Sequence, residues 1–228
     1  MKALLYKEFK LAMHPICYLF IALFPLMILI PSYPLAIGFI YVLTCYPILF
    51  LGANKGQQSN DLLFSTLLPV RKKDIVLARI CTVIIMHLAF MAIMSALFPL
   101  SLAINKSIAV ESGSGTGSLV APGLGHSSYV LILAIAFIGF GIADLIFFPI
   151  YYKKGKSIVM STLLTILGFV VYLGVLTIGL PFIPGMEWLN NLHIGIQFAA
   201  LGVSLIIYVL LHILVHRISS KRLEKVDF

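Results

Sequence analysis

Apolar runs long enough to cross a bilayer recur along this chain, and nearly every basic residue falls in alternate gaps between them. A hydrocarbon core about 30 Å thick needs about 20 apolar residues in helical form. Inside it every backbone N–H and C=O must be satisfied within the segment, which leaves helices or closed barrels. The runs here are continuous rather than alternating, so they predict helices. Pairing of two runs is expected over 16–52, one over 75–104, two over 128–180 and one over 194–215, making six spans. Composition closes off the soluble alternative: the chain is 61% hydrophobic and 11% charged, against about 45–50% and about 25% for soluble domains. The expectation is an all-α polytopic membrane protein, with residues 1–228 forming a single transmembrane domain.

Charge placement fixes the orientation. Lys2, Lys7 and Lys10 open the chain; Lys55, Arg71, Lys72, Lys73 and Arg79 follow span two; Lys153, Lys154 and Lys156 follow span four; Arg217, Lys221, Arg222 and Lys225 lie in the tail 216–228. Of the 16 basic residues only Lys106 falls on the other side, in the loop 105–127. By the positive-inside rule the basic side is cytoplasmic, with both termini inside. The same asymmetry accounts for the net charge of +8 without nucleic acid as a partner. The start resembles a signal peptide only superficially. No small-residue cleavage site follows, and Pro25, Pro31 and Pro34 interrupt the run, so a retained first span is expected. Residues 1–13 place Leu4, Leu5, Phe9, Ala12 and Met13 on one side of a helical wheel and the lysines on the other. That pattern predicts an interfacial helix with its apolar face in the lipid.

The polar stretch 54–74 has internal punctuation. Ser59 or Asn60 can cap a helix, Asp61 suits the positive end of its dipole, and Pro69 stops it. Leu63 with Leu67, and Phe64 with Leu68, fall at i, i+4 and make an apolar stripe. Arg71, Lys72 and Lys73 follow directly. A short amphipathic helix on a basic cytoplasmic loop is built to dock another protein, through Asp61, Leu62, Leu63, Phe64, Leu67, Leu68 and Arg71.

Other motifs carry no chemistry. Gly155-Lys156-Ser157 lacks the earlier glycine and the preceding strand of a phosphate-binding loop, so no nucleotide site is expected in the chain. Neither a His-Glu-x-x-His zinc motif nor a Gly-x-Ser-x-Gly elbow is present, and no catalytic residue, metal or cofactor is assigned. Gly113 to Gly117 is a linker-like outer loop, and 181–193, with Trp188, is a second outer loop with an interface residue. Cys17, Cys45 and Cys81 sit in or beside apolar runs and are expected to pack as small hydrophobes. Asp144 is the single acidic residue well inside a span, about 13 Å from Lys153 along the helix. Intramembrane carboxylates face bundle interiors or wet cavities, so Asp144 is a candidate translocation-pathway residue, with a helix-packing hydrogen bond as the alternative. His87 is expected to be a packing histidine. His212 and His216 are expected near headgroups at the end of span six.

The opening Met1-Lys2-Ala3-Leu4-Leu5-Tyr6-Lys7-Glu8-Phe9, the segment Leu67-Leu68-Pro69-Val70-Arg71-Lys72-Lys73-Asp74-Ile75-Val76 and the six-span layout together resemble the ABC-2-type permeases, the membrane subunits of ATP-driven exporters. Related Leu-Pro-Val-x-Arg-x-x-Ile-Val stretches in small bacterial members carry a serine beside the proline or arginine, where this chain has Leu68 and Lys72. The resemblance implies that residues 1–13 are an elbow helix and that the helix near 61–68 is a coupling helix seated in a separate ABC ATPase subunit. It implies a second permease copy or paralogue, ATP and Mg bound by the partner, a bacterial cell membrane, and export of a small molecule or peptide. Amphipathic or antimicrobial peptides, as handled by phenol-soluble-modulin exporters, are the cargo it points to. Two rival readings are a small secondary transporter of inverted three-span repeats and a non-transporting membrane partner of an ATPase.

Overall fold

The computed structural model describes residues 2–12, 15–29, 41–42, 69–112, 129–154, 158–176 and 193–225. Every element among them is helical. Helix α1 (Lys2–Lys7) runs on as a π turn over Glu8–Ala12, and α2 (Pro15–Leu23) as a 3-10 turn over Phe24–Leu29. The four longer helices are α3 (Lys72–Ser112), α4 (Tyr129–Lys154), α5 (Ile158–Gly174) and α6 (Ile194–Glu224). Among the described residues α3, α4 and α6 are long and apolar enough to cross a membrane; Ile16–Leu26 and Val159–Gly174 are shorter apolar helices. The chain is thus an all-α polytopic membrane protein. Most of span two, the loop helix at 61–68 and both outer loops lie outside the described residues.

Local sequence sets the ends. Asp74 sits in the first turn of α3, where its carboxylate meets the positive end of the helix dipole, and it accepts a 3.0 Å bond from Arg71 Nε. The helix then continues to Ser112, through Pro99 in its interior, and Gly113 follows in the sequence. It has 41 residues and so extends about 60 Å, twice the thickness of a hydrocarbon core. Hydropathy alone predicts an end at 104. At the start of α6 the His193 side chain accepts from Gly195 N–H, and at its end Lys225 N–H donates to Arg222 O.

Helix α6 also overruns its expected end at 215, and packing explains why. Val215, Ser219, Ser220 and Leu223 are all buried, His216 Nε2 lies 3.3 Å from Lys73 O, and Arg222 Nη1 donates to Pro149 O at 2.5 Å. The basic segment 216–224 is therefore the helical C-terminal end of α6, held against α3 and α4.

Helix α4 is central, packing most extensively on α6 and also on α5. Paired contacts give the directions. Arg79 meets Tyr151 and His87 meets Phe140, so α3 and α4 are antiparallel. Phe137 meets Tyr208 and Pro149 meets Arg222, so α4 and α6 are parallel. The first turns of α3 and the last turns of α4 and α6 thus share one end of the bundle, and Glu8 joins them there through Arg79. These are the segments that the basic residues mark in the sequence.

Small residues allow the close approach. A Cβ on Gly139 would lie 2.9 Å from both Phe169 Cε2 and Tyr172 Cε1, and one on Gly141 would lie 2.7 Å from Leu211 Cδ1. Without a solvent-driven hydrophobic effect between helices in lipid, such close packing is a main source of association. An aromatic core fills the centre: Tyr41 sits 4.3 Å from Phe90 and 5.3 Å from Phe140 between ring centroids, which anchors its short stretch of span two against α3 and α4. Outside, α5 and α6 show long apolar faces, including Val159, Leu163 and Leu167, and Phe198, Ile206 and Leu210.

Helix α1 departs from expectation in its facing. Leu4 and Lys7 are both buried, and Glu8 is 4% exposed. The helix packs on α3 rather than lying with its apolar face wholly in lipid, because the Glu8 carboxylate is drawn to Arg79.

A buried polar cluster as candidate functional site

Two polar clusters tie the helices together inside an apolar bundle. The deeper one begins with Asp144 on α4, fully buried. Gly141, one turn earlier, lets α6 come close enough to bring His212 to it: His212 Nε2 and Asp144 Oδ2 are 2.7 Å apart. The other ring nitrogen, His212 Nδ1, lies 2.8 Å from the backbone oxygen of Tyr208, four residues back on the same helix. A carbonyl oxygen only accepts, so Nδ1 carries a hydrogen and donates it. Nε2 therefore faces the carboxylate with one proton shared between the two groups, whichever of them formally holds it. Burying a charge costs several kcal/mol unless it is paired in good geometry, and this shared proton meets that condition.

His87 on α3 completes the cluster. Its Nδ1 is 3.0 Å from the Tyr208 hydroxyl and 3.7 Å from Asp144 Oδ2, and its ring stacks on Phe140 at 4.6 Å. The Tyr208 ring packs on His212 at 4.1 Å and edge-on to Phe137 at 5.4 Å. One tyrosine thus serves both histidines, through its hydroxyl and through its backbone. Three helices contribute, and every titratable member is less than 5% exposed.

The second cluster lies at the shared end of the bundle. Arg79 on α3 donates from Nε to Glu8 Oε2 at 2.8 Å and from Nη2 to Oε1 at 3.2 Å, while Nη1 reaches the Tyr151 hydroxyl on α4 at 3.3 Å. Lys7 Nζ stands 3.6 Å from the same carboxylate. The two-pronged guanidinium–carboxylate pair is the strong form of charged hydrogen bond.

The residues expected from sequence fare unequally. Asp144 on α4 is fully buried, facing His87 of α3 and His212 of α6 rather than an open surface. Arg71 is exposed beside Asp74 at the head of α3. Asp61, Leu62, Leu63, Phe64, Leu67 and Leu68 lie outside the described residues. His212 is a correction: the reading that put it near headgroups fails, because it is 4% exposed and bonded to Asp144. His216, one turn on, is partly buried beside Lys73 O. Glu8, Arg79 and Tyr208 were missed. Glu8 had a signal, as the only acidic residue before Asp61 in a basic opening. Tyr208 had none.

Residues 3–220 match a family model described as ABC-2 family transporter protein. No curated protein and no solved structure matches the chain.

Proposed function

The chain belongs to the ABC-2 family of transporter proteins, a membrane permease of an ABC transporter, and on that ground we propose that it is the membrane half of an ATP-driven exporter. The observation that carries this reading is the family match over nearly the whole chain, from the first helix to the inner end of α6. Family membership brings ABC ATPase partners and the lipid bilayer as its working environment. The proposal adds six spans with both termini cytoplasmic, a second permease as homo- or heterodimer partner, and ATP and Mg held by the ATPase subunits.

The mechanism follows from how force would travel. By the resemblance, residues 61–68 would be the coupling helix, with Asp61, Leu63, Phe64 and Leu67 meeting the ATPase, and Arg71 stands immediately before α3 begins at Lys72. A push there moves α3. The Arg79–Glu8 pair passes the movement to the elbow helix α1, and the His87–Asp144–His212 cluster passes it to α4 and α6. Because interiors are close-packed and deform little, α1, α3, α4 and α6 shift as a block against the second permease. The cargo path opens between the two blocks. Asp144 enters this scheme as the polar tie of the block, and it touches cargo only in an arrangement in which α4 and α6 part. Amphipathic or antimicrobial peptides are the proposed cargo class, supported by the resemblance to small peptide exporters.

The test is co-purification of the intact chain with candidate ABC ATPase subunits, beside a Leu63→Asp, Leu67→Asp variant. The proposal expects stable capture that the double change abolishes. Equal capture by both chains would remove the coupling-helix assignment while leaving the ATPase partner, and no capture by the intact chain would favour a transporter that works without an ATPase.

A further inference from the structure

We propose that His87 Nδ1, Asp144 Oδ2 and His212 Nε2 form a binding site for a divalent first-row transition-metal ion of the Zn2+ type, inside the helix bundle. The three groups come from three helices, are all buried, and offer one donor atom each within 4.8 Å of one another. A simple packing pair would need only Asp144 and His212. The third group is what changes the reading: His87 Nδ1 converges on the same carboxylate oxygen from 3.7 Å, too long for a hydrogen bond.

The spacing suits an ion. Two donors bound at about 2.0–2.1 Å in a tetrahedral arrangement stand about 3.3 Å apart. The two separations here, 2.7 Å and 3.7 Å, bracket that value, so modest side-chain shifts in opposite senses seat a metal between them. The outer nitrogen of His212 is already committed to the Tyr208 carbonyl. Metal-binding imidazoles are held in this way, one N–H donating to a carbonyl or carboxylate and the other nitrogen facing the ion. The ion would take the place of the proton now shared between Nε2 and Oδ2, satisfying the carboxylate and both rings together. Tyr208, with its hydroxyl 3.0 Å from His87 Nδ1, supplies an adjacent oxygen.

The donor set also selects the metal. Two imidazoles and one carboxylate suit Zn2+ and its first-row neighbours, whereas Mg2+ and Ca2+ require oxygen-rich shells. Bound there, the ion would staple α3, α4 and α6 more firmly than a hydrogen bond does. Nothing in this site depends on an ATPase, so it stands or falls apart from the permease mechanism.

The experiment uses the full chain, purified in detergent through a tag without histidine, stripped with chelator, and offered Zn2+, Co2+ or Mg2+ separately. Expected are about one retained Zn2+ per chain after gel filtration, a visible ligand-field spectrum typical of four-coordinate sites with Co2+, and no retention of Mg2+. Asp144→Asn and His212→Gln should lose both signals, while His193→Gln keeps them. An intact chain that retains no ion, or ligand variants that retain as much as the original, would overturn the site. Should the ligand variants fail to fold, the intact chain still decides: the weak spectrum of hydrated cobalt, or displacement by Mg2+, places the ion on the surface and sinks the proposal.

Discussion

Glu8 and Arg79, 71 positions apart, meet in a two-pronged buried ion pair, so the first helix of the chain is locked to the first turns of α3. Both side chains are 6% exposed. Removing one partner leaves a charge in a poor solvent, which costs about 3–5 kcal/mol. Glu8→Ala and Arg79→Ala should each lower the thermal midpoint in detergent sharply, as read by intrinsic fluorescence or light scattering. A joint Glu8→Leu, Arg79→Met change should recover part of the loss, since an apolar pair replaces a buried ion pair at little cost while Lys7, 3.6 Å from the Glu8 carboxylate, loses that neighbour. Singles that behave like the intact chain would mean the pair is dispensable.

The glycines of α4 give a contrast that packing alone decides. Gly139→Ala drives a methyl group into the Phe169 and Tyr172 rings at 2.9 Å, and Tyr172 is pinned by its 2.8 Å bond to Ile135 O. Overpacking of this kind costs about 1–3 kcal/mol. Gly202 on α6 has nothing within 4 Å of the position a Cβ would take, so Gly202→Ala should cost nothing and gain up to about 1 kcal/mol of helix propensity. Thermal unfolding of the two variants side by side checks the order.

Tyr208 and Asp144 predict graded losses. Tyr208→Phe removes the hydroxyl beside His87 but leaves the carbonyl that orients His212, and should cost about 1–3 kcal/mol as one buried polar atom loses its partner. Asp144→Leu strips the cluster of its acceptor and should cost more, about 3–5 kcal/mol. If the two variants unfold together with the intact chain, the cluster contributes no stability.

Orientation can be read chemically. In a chain with its own cysteines replaced, Lys106→Cys should react with an impermeant maleimide added outside intact cells, and Lys221→Cys only after the membrane is opened. The reverse pattern would invert the topology inferred from the basic residues.

The start of the 128–180 pair was legible because hydropathy is local: the run carries its own signal, and α4 begins at Tyr129, one residue after the expected start. The C-terminal end of α6 was not, since residues 216–224 look like a polar tail until Leu223, Ser219 and Ser220 are seen buried. Asp144 drew attention by its cost in a membrane, but its partner lies 68 positions away and no spacing rule links them. His212 misled for a physical reason. It stands one turn before His216 near the basic end of the helix, and only the approach allowed by Gly141 turns it inward. The facing of α1 failed similarly, because a helical wheel weighs the lysines and is blind to Arg79.

As the proposed permease, this chain would couple a membrane movement to ATP hydrolysis by a separate subunit. The most direct measurement of that coupling is the ATP hydrolysis rate of the captured ATPase, alone and joined to the intact chain in nanodiscs, with the Leu63→Asp, Leu67→Asp chain as control. The account predicts that the intact chain changes the rate several-fold and that the control leaves the ATPase at its solitary rate. A rate indifferent to the intact chain would contradict it.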